Sequence, residues 1–271
     1  MSARAAPDQR EELPLLVLRG LGHRYGGEHA VEALVDVSFA VHPGELVSVV
    51  GPSGCGKSTL LAAVAGLLPS HNGQIAFRGQ ALREPHPEIG VVFQEDATFP
   101  WRTARRNVEF GLEMRGVGRS ERRRRADEML RIVGLEGFCD HHPGQLSGGM
   151  KQRVAIARTL VTEPALLLMD EPFGALDEQT RLLLGEELLR LQQELDQTVL
   201  FVTHSIQESV LLSDRIVLMT RRPGRIKAMV RVDLPRPRGA DLMGSPEFNQ
   251  LVAQVWASIR EESTGRARVQ A

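Results

Sequence analysis

Two kinds of hydrophobic pattern lie close together near the start of the chain. The stretch "LLVLRGL" and the apolar alternation after it predict strands of a half-buried antiparallel layer. The alternating positions are Val35, Val37, Phe39 and Val41. The segment "ELVSVV", residues 45–50, is continuously apolar, which is typical of a parallel strand buried on both faces. A glycine-rich loop and a helical pattern from Lys57 to Leu67 follow it, so the sequence predicts the strand, loop and helix that begin an α/β sheet.

Later apolar runs predict more strands for the same sheet. These runs are "IGVVF" at 89–93, "ALLLMD" at 165–170, "TVLFVTH" at 198–204 and "RIVLMT" at 215–220. A helix is predicted from Thr180 to Leu195, with leucines on one stripe and Glu186 paired with Arg190 one turn later. The stripe consists of Leu184, Leu188, Leu191 and Leu195. Residues 100–160 show only helical patterns, which predicts an inserted helical subdomain at about 97–160.

The patterns divide the chain into three parts. Residues 1–12 are polar and are expected to form a mobile leader, and residues 13–225 form the main domain. An extension, residues 226–271, is expected to hold a short hairpin near Gly224, the proline-rich link "LPRPRG" and an amphipathic helix from Glu247 to Arg260.

Composition narrows the class of protein. The chain has 271 residues, 42% of them hydrophobic, which is enough for a sizeable core. Its net charge of -1 gives no overall reason to expect nucleic acid as a partner. Two cysteines in unrelated contexts fit a reducing compartment. No signal peptide is evident, and no window approaches the roughly eighteen apolar residues of a membrane helix. We therefore expect a cytoplasmic chain that does not itself cross a membrane.

The loop after the first buried strand has the pattern of a phosphate-binding loop. "GPSGCGKS", residues 51–58 and hereafter the Lys57 loop, matches GxxxxGK[ST] between a strand and a helix. Glycines let backbone N–H groups approach phosphates, Lys57 reaches the β- and γ-phosphates, and the Ser58 hydroxyl can bind Mg²⁺. Cys55 is interpreted as a small residue without a redox role. The nucleotide-binding residues predicted here are Gly51, Ser53, Gly54, Cys55, Gly56, Lys57, Ser58 and Thr59.

Two carboxylates follow a predicted buried strand in "LLLMDEP". Asp170 would hold the Mg²⁺ shell, and Glu171 would polarise a water molecule in line with the γ-phosphate. A second glycine-containing helix start lies far downstream in "LSGGMKQRVA", residues 146–155. Since one nucleotide has one triphosphate, a second phosphate-cradling loop in the same chain needs an explanation.

These residues together resemble the ATPase subunit of an ATP-binding cassette (ABC) transporter, over about residues 15–225. "LSGGM", residues 146–150 and hereafter the Ser147 loop, is similar to the family's LSGGQ signature, with Met150 in place of Gln. The resemblance implies that Ser147, Gly148 and Gly149 contact ATP.

The resemblance assigns further residues. Gln94 in "VFQED" matches the Q-loop glutamine, which approaches Mg²⁺ and the attacking water and lies near the membrane subunits. Asp177 closes "GALD", which resembles the D-loop, although Gly174 replaces the commoner Ser. His204 matches the switch histidine at the γ-phosphate. Tyr25 in "HRYGG" matches the aromatic residue that stacks on adenine.

Longer stretches narrow the resemblance. "FQEDATFPWRTARRNVEFGL" and "MDEPFGALDEQTR" are similar to the nitrate, sulfonate and taurine importer branch. The branch implies a P-loop NTPase α/β core sheet with an N-terminal antiparallel β layer and an inserted α-helical subdomain. It also implies ATP and Mg²⁺ as cofactors and a peripheral position on the cytoplasmic face of the inner membrane.

The family also implies partners. Its ATPases act as head-to-tail pairs, so each Ser147 loop would face ATP on the Lys57 loop of the other subunit. The pair is a homodimer or includes a similar ATPase subunit. Integral membrane permease subunits bind the pair, and a solute-binding protein acts indirectly through them.

Other interpretations remain as alternatives. The run "GRSERRRRADE", residues 118–128, suggests nucleic acid, but its acidic residues and lack of aromatic residues favour a solvated helix face. "CDHHPG" lacks the second pair of ligands that a closed metal site needs. The main functional alternative is a soluble cassette ATPase acting on nucleic acid or ribosomes, which usually carries a long coiled-coil insertion or a second cassette.

Overall fold

The computed structural model describes residues 13–26, 30–95 and 97–263, so the predicted leader at 1–12 lies outside the described residues. The strands among them are β1 Leu16–Tyr25, β2 Val31–Val41, β3 Leu46–Val50, β4 Asn72–Phe77, β5 Gln80–Ala81, β6 Ile89–Val92, β7 Leu166–Asp170, β8 Thr198–Val202, β9 Arg215–Met219 and β10 Ile226–Arg231. The α-helices are α1 Lys57–Val64, α2 Ala104–Met114, α3 Arg119–Ile132, α4 Gly148–Leu160, α5 Glu178–Glu194, α6 Ile206–Leu212 and α7 Pro246–Ser263.

A six-stranded sheet in the order β10-β9-β3-β8-β7-β6 forms the centre of the fold. Its pairs are parallel except for β10, which runs antiparallel to β9. All five residues of β3 are buried. Leu46 and Val50 belong to one hydrophobic core, and Val47 and Val49 to the other. The continuous apolar run is thus explained, because alternate side chains enter cores on opposite faces of the sheet.

A four-stranded antiparallel layer in the order β2-β1-β4-β5 covers one of these cores together with α1. The predicted alternation in β2 changes phase at one point. Asp36 has a left-handed φ of 54°, and Leu34 rather than Val35 takes the buried position before it. Val37, Phe39 and Val41 are buried as predicted. The predicted α/β fold with an antiparallel layer is therefore confirmed.

The described residues between β6 and β7 hold three α-helices, α2, α3 and α4, and no strand. Their apolar faces meet in the core cluster that also covers the second face of the central sheet. The members on the three helices include Val108, Leu112, Leu130 and Val154. The start of α4, which follows Ser147, therefore belongs to this group of helices and not to the central sheet.

Two details of the predicted helices differ from the structure. Helix α1 ends at Val64 rather than Leu67, because Gly66 adopts a left-handed φ of 74°. Leu195 lies just beyond α5 and is 40% exposed, unlike the other leucines of its stripe.

The predicted pair between Glu186 and Arg190 is wrong. Arg190 pairs instead with Glu194 at 2.9 Å, while Glu186 accepts a hydrogen bond from Ala240 N. The tail that returns over α5 supplies a backbone donor that the local sequence spacing could not reveal.

The segment after the core is tied to it by a buried arginine. Arg238 donates hydrogen bonds to the carbonyl oxygens of Ser213, Val232 and Leu234, and burial lowers its pKa to about 10. Beyond it, α7 packs against α6. Within the described part of the chain, no helix combines the length and apolar character needed to cross a membrane.

Candidate functional site

The Lys57 loop connects β3 to α1 in a conformation that requires glycine. Gly54 and Gly56 have φ values of 73° and 104°, and a Cβ on Gly56 would lie 2.8 Å from the Ala33 carbonyl oxygen. Lys57 is buried, and its Nζ donates to the Gly51 carbonyl oxygen at 3.0 Å. The loop therefore holds its ammonium group beside the backbone that would surround a phosphate.

A cavity of about 410 Å³ opens above this loop. Eight predicted site residues line it together: Tyr25, Ser53, Gly54, Gly56, Lys57, Ser58, Thr59 and Glu171. The remaining lining residues are Val31, Ala33 and Arg222. The sequence motifs and this cavity thus coincide, although the predicted residues come from three separate segments: the end of β1, the Lys57 loop with the start of α1, and the residue after β7.

Cys55 lies behind the loop, where it is buried. Burial raises the pKa of its thiol, which keeps it protonated. Its Sγ lies 2.9 Å from the position that a Cβ on Gly51 would take. Cys55 therefore fills space beneath the loop as a small neutral residue.

Tyr25 forms one wall of the cavity. The residue is 46% exposed, its hydroxyl lies 3.1 Å from the Thr59 hydroxyl, and the His23 ring contacts its ring edge-on at 4.7 Å. His23 is itself fixed by a 2.9 Å contact with the Pro69 carbonyl oxygen. The tyrosine is therefore held in place while nearly half of it stays exposed, which leaves aromatic surface for a planar ligand.

The two carboxylates after β7 point to different partners. Ser58 Oγ donates to Asp170 Oδ1 at 3.3 Å, and burial raises the pKa of Asp170. Glu171 adopts a left-handed φ of 43°, which is costly for a residue with a Cβ. This turn separates the two side chains, so that Asp170 faces the Lys57 loop and Glu171 faces the cavity.

Glu171 lies between two cationic or protonatable groups. Its Oε2 is 2.9 Å from His204 Nδ1, and its Oε1 is 3.8 Å from Lys57 Nζ. His204 follows β8 and Glu171 follows β7, and these strands are parallel neighbours. The carboxyl ends of parallel strands thus bring the predicted base and the predicted switch histidine together.

The other predicted residues lie nearby or apart. Gln94 follows β6, with its Nε2 3.8 Å from the position of a Cβ on Gly174. Asp177 caps α5 by accepting a hydrogen bond from Thr180 N at 2.9 Å, and bonds from Thr180 lower its pKa. Ser147 caps α4 by accepting from Met150 N at 3.3 Å.

The Ser147 loop does not contribute to the Lys57 cavity of its own chain. Ser147, Gly148 and Gly149, all described, are absent from the lining of that cavity. Gly149 instead approaches Thr180, whose Cγ2 lies 2.8 Å from the position of a Cβ on the glycine. The Ser147 loop therefore packs against the start of α5.

A polar chain behind His204 was not recognised from the sequence. Thr203 Oγ1 donates to Glu208, and Glu208 Oε1 lies 3.4 Å from Arg181 Nε. Arg181 Nη2 donates in turn to the Leu176 carbonyl oxygen at 3.0 Å. These groups connect the loop before α5 to the loop that carries His204. The helical spacing of "HSIQE" gave no sign of this, because the partner lies on another helix.

Each of the four consecutive arginines on α3 forms an ion pair with a carboxylate. The ion pairs are Arg122 with Glu109, Arg123 with Asp127, Arg124 with Glu121 and Arg125 with Glu163. Cys139 is buried, with its Sγ 3.2 Å from the Glu136 carbonyl oxygen. Among the residues that the structure describes, no three His, Cys, Asp or Glu side chains form a group that could hold a metal ion.

Known proteins resemble the chain along most of its length. The family model described as ABC transporter matches residues 34–174. An uncharacterised ABC transporter ATP-binding protein of Methanocaldococcus jannaschii is 49% identical over 225 residues, covering 83% of this chain and 84% of that protein. The taurine import ATP-binding protein TauB of Rhizobium johnstonii is 45% identical, and the match covers 87% of this chain and 91% of that protein. The nitrate import ATP-binding protein NrtC of Synechococcus elongatus is 46% identical, and the match covers 83% of this chain and 35% of that protein.

Solved structures agree with these relatives. The ATP-binding cassette MJ0796, in a dimeric post-hydrolysis state with ADP and Pi, has a TM-score of 0.71 and 34% identity, covering 81% of this chain and 100% of that one. CbiO1 of Clostridium perfringens, part of an ABC transporter complex, has a TM-score of 0.75 and 27% identity, and the match covers 93% of this chain and 99% of that one. The resemblance drawn from the motifs is confirmed: the chain belongs to the ABC transporter family, as one of its ATP-hydrolysing cassettes.

Proposed function

We propose that this chain powers an importer for a small solute such as nitrate, a sulfonate or taurine. The observation that carries the ATPase part is that Lys57 and Glu171 line one cavity together, with His204 in contact with Glu171. The importer part is supported by similarity to nitrate and taurine import ATP-binding proteins. The chain would sit peripherally on the cytoplasmic face of the membrane, bound to permease subunits and served indirectly by a solute-binding protein.

In this proposal ATP lies with its adenine on Tyr25 and its triphosphate on the Lys57 loop. The exposed side of the Tyr25 ring supplies a flat apolar surface for the base. Backbone N–H groups at the start of α1 and the Lys57 ammonium group balance the charge of the phosphates. Thr59 would fix the tyrosine through the 3.1 Å contact between their hydroxyls.

Ser58, Asp170 and Gln94 are the proposed Mg²⁺ ligands. Ser58 and Asp170 fit this role, because their oxygens already lie 3.3 Å apart and oxygen is the donor that Mg²⁺ prefers. Burial raises the pKa of Asp170, so its ionised form gains from a nearby cation. When bound, Mg²⁺ neutralises charge on the β- and γ-phosphates.

Glu171 is the proposed general base for hydrolysis. It would accept a proton from the water that attacks the γ-phosphate, while His204 orients the carboxylate through the 2.9 Å contact with its Nδ1. The other carboxylate oxygen lies 3.8 Å from Lys57 Nζ. When a phosphate enters, Lys57 would pair with the phosphate instead of with Glu171. Entry of ATP would thus free Glu171 for catalysis.

The Ser147 loop and Asp177 are proposed to complete the site of a second subunit. The Ser147 loop lines no part of its own chain's nucleotide cavity, as expected if it serves another. A Ser147 hydroxyl that already accepts a bond from Met150 N still has its own proton to donate to a phosphate. The dimeric state of the similar cassette MJ0796 supports this arrangement.

An exposed aromatic surface beside Gln94 is the proposed permease contact. Trp101 is 73% exposed, and Phe93 is half-exposed. Phe99 and Phe110 pack edge to face at 4.8 Å, Arg102 lies over the Phe110 ring, and Phe99 also contacts Trp101. A rigid aromatic group with an arginine at its edge is typical of binding surfaces.

Co-expression with the membrane proteins encoded beside its gene tests this function. We expect purification through a tag on the permease to recover the chain, and vesicles holding the complex to take up nitrate, a sulfonate or taurine only with ATP. Trp101→Ser should reduce recovery of the chain by about 10-fold without changing its ATPase activity in isolation. Trp256→Ser is the matched control, since this second exposed tryptophan lies on α7.

Two results would count against the proposal. Equal recovery of the native chain and the Trp101 variant would show that the permease binds elsewhere. Tight DNA binding at physiological salt, together with no recovery on any permease, would favour the nucleic-acid alternative.

A further inference from the structure

The turn between β9 and β10 packs directly against the Lys57 loop, although no motif covers it. Gly224 N donates to the Ala33 carbonyl oxygen at 2.9 Å, and Val35 N donates to the Gly224 carbonyl oxygen at 2.9 Å. A Cβ on Gly224 would lie only 2.1 Å from the Cys55 carbonyl oxygen. The turn is therefore fixed between β2 and the phosphate loop, and its neighbouring side chains have defined positions.

Arg222 extends from this turn into the nucleotide cavity. It lines the same cavity as Tyr25, Lys57 and Ser58. Its Nε donates to the Gly54 carbonyl oxygen at 3.2 Å, and its Nη2 is 3.6 Å from the position of a Cβ on Gly54. The guanidinium group thus lies along the edge of the loop that would hold the triphosphate.

The charge of Arg222 is not neutralised in the described structure. Its single described polar contact is the Gly54 carbonyl oxygen, and no described carboxylate pairs with it. Lys57, by contrast, already faces Glu171 at 3.8 Å. Of the five N–H donors of a guanidinium group, those on the two Nη atoms remain for a ligand. An anion in the cavity is the ligand that would satisfy both the charge and the donors.

We propose that Arg222 is a further nucleotide-binding residue, which contacts the phosphate chain of ATP from the side of the β9–β10 turn. This inference rests on the proposed placement of the nucleotide on the Lys57 loop. Arginine suits the role because its planar, permanently charged group can donate two hydrogen bonds to one phosphate. The hydrogen bond to Gly54 would keep the group oriented before the nucleotide enters.

Equilibrium titration with ATP, ADP, AMP and adenosine tests the assignment. Arg222→Gln should weaken ATP binding by about 10-fold, a value at the lower end for a charged hydrogen bond because the side chain is exposed. The loss should decrease with each phosphate removed and vanish for adenosine. Arg222→Lys, which keeps the charge but loses the fork, should fall between the native chain and Arg222→Gln.

Salt dependence separates a phosphate contact from mechanical support of the loop. Because salt screens an exposed charge, the difference between Arg222→Gln and the native chain should shrink at high salt. Support through the Gly54 carbonyl oxygen alone predicts a loss that salt does not change and that lysine does not restore. That pattern would overturn the proposal, as would unchanged ATP affinity in both variants.

Two more variants complete the experiment. Arg221→Gln removes the same charge one residue away, outside the cavity lining, and should leave ATP affinity unchanged. If Arg221→Gln weakens ATP binding as much as Arg222→Gln does, the loss comes from the overall charge of the protein, and the proposed contact between Arg222 and phosphate is refuted. Lys57→Ala tests the underlying placement. If Lys57→Ala leaves ATP affinity intact, the proposed nucleotide site is wrong; if only the Arg222 variants have no effect, this inference alone fails.

Discussion

Glu171 is the proposed general base of this site. Its carboxylate faces His204 at 2.9 Å and Lys57 at 3.8 Å. We expect Glu171→Gln to slow ATP hydrolysis by roughly 10²- to 10⁴-fold, because the amide keeps the shape and cannot accept a proton. Binding of ATP should remain intact. Steady-state turnover and equilibrium binding on the purified variant measure both quantities.

Glu136→Gln provides the control for this change, since Glu136 is exposed in a short helical turn away from the cavity. Its turnover should equal that of the native chain. Near-native turnover of Glu171→Gln would instead remove Glu171 from the role of base and direct attention to Gln94 or His204.

The raised pKa of Asp170 leads to a prediction about how the free energy of unfolding depends on pH. Burial raises its pKa in the folded chain, so the ionised form destabilises the fold above that pKa and the protonated form does not. Without divalent cations, Asp170→Asn should therefore raise the free energy of unfolding at neutral pH. The gain should shrink as pH falls through the raised pKa towards the unfolded value.

Urea unfolding at several pH values in a chelator measures this difference. The same variant should lose the additional stability that Mg²⁺ with ATP gives the native chain, because a ligand that binds the folded state stabilises it. A variant that is less stable than the native chain at neutral pH in chelator would contradict the desolvation argument.

At the scale of elements, the start of α5 is connected to the start of α6. Glu208 contacts both Thr203 and Arg181, and Arg181 holds the Leu176 carbonyl oxygen. Burial raises the pKa of Glu208, and the hydrogen bond from Thr203 and the charge of Arg181 oppose that rise. We expect Glu208→Gln to reduce kcat roughly 10-fold while ATP affinity stays unchanged, because the loop that carries His204 loses its support.

A double-mutant cycle with Arg181→Gln checks this connection. The two losses in kcat should not add, since both remove the same contact. Glu194→Gln, which breaks the exposed pair with Arg190 at the other end of α5, should leave kcat unchanged. Additive losses from Glu208 and Arg181 would show that the two residues act separately.

The elements themselves were predictable where burial alone determined the pattern. Strand β3 is buried on both sides, so every residue had to be apolar and the run was recognisable. The phase of the alternation in β2 was not predictable, because it changes at Asp36, whose left-handed conformation no pattern of apolar residues encodes. The predicted ion pair of Glu186 was wrong for a related reason, since Glu186 accepts a hydrogen bond from the backbone N–H of the distant residue Ala240.

For the whole molecule, the two glycine-containing helix starts serve different subunits in the proposed arrangement. A mixed dimer of one Lys57→Ala subunit and one Ser147→Arg subunit tests this. If sites are shared, one site collects both lesions and the other is intact, so about one nucleotide per dimer should be trapped with a transition-state phosphate mimic. The attraction between the phosphate charge and a second helix start is the physical reason to expect sharing.

The two homodimers are the reference for that experiment, since each should trap only background nucleotide. Trapping counts occupied sites directly and does not require two working sites, as turnover can. Background trapping in the mixed dimer would mean that each chain completes its own site.

The chemistry of this protein was predictable from the sequence, because a phosphate loop, a strand-end carboxylate pair and a glycine-containing helix start are local patterns in which spacing dictates geometry. Which of these groups meet depends on how distant elements pack. Only the parallel pairing of β7 and β8 brings Glu171 to His204, and only the packing of the β9–β10 turn brings Arg222 to Gly54. Such contacts join residues far apart in the chain. Local periodicity cannot encode them, because they depend on how whole elements pack.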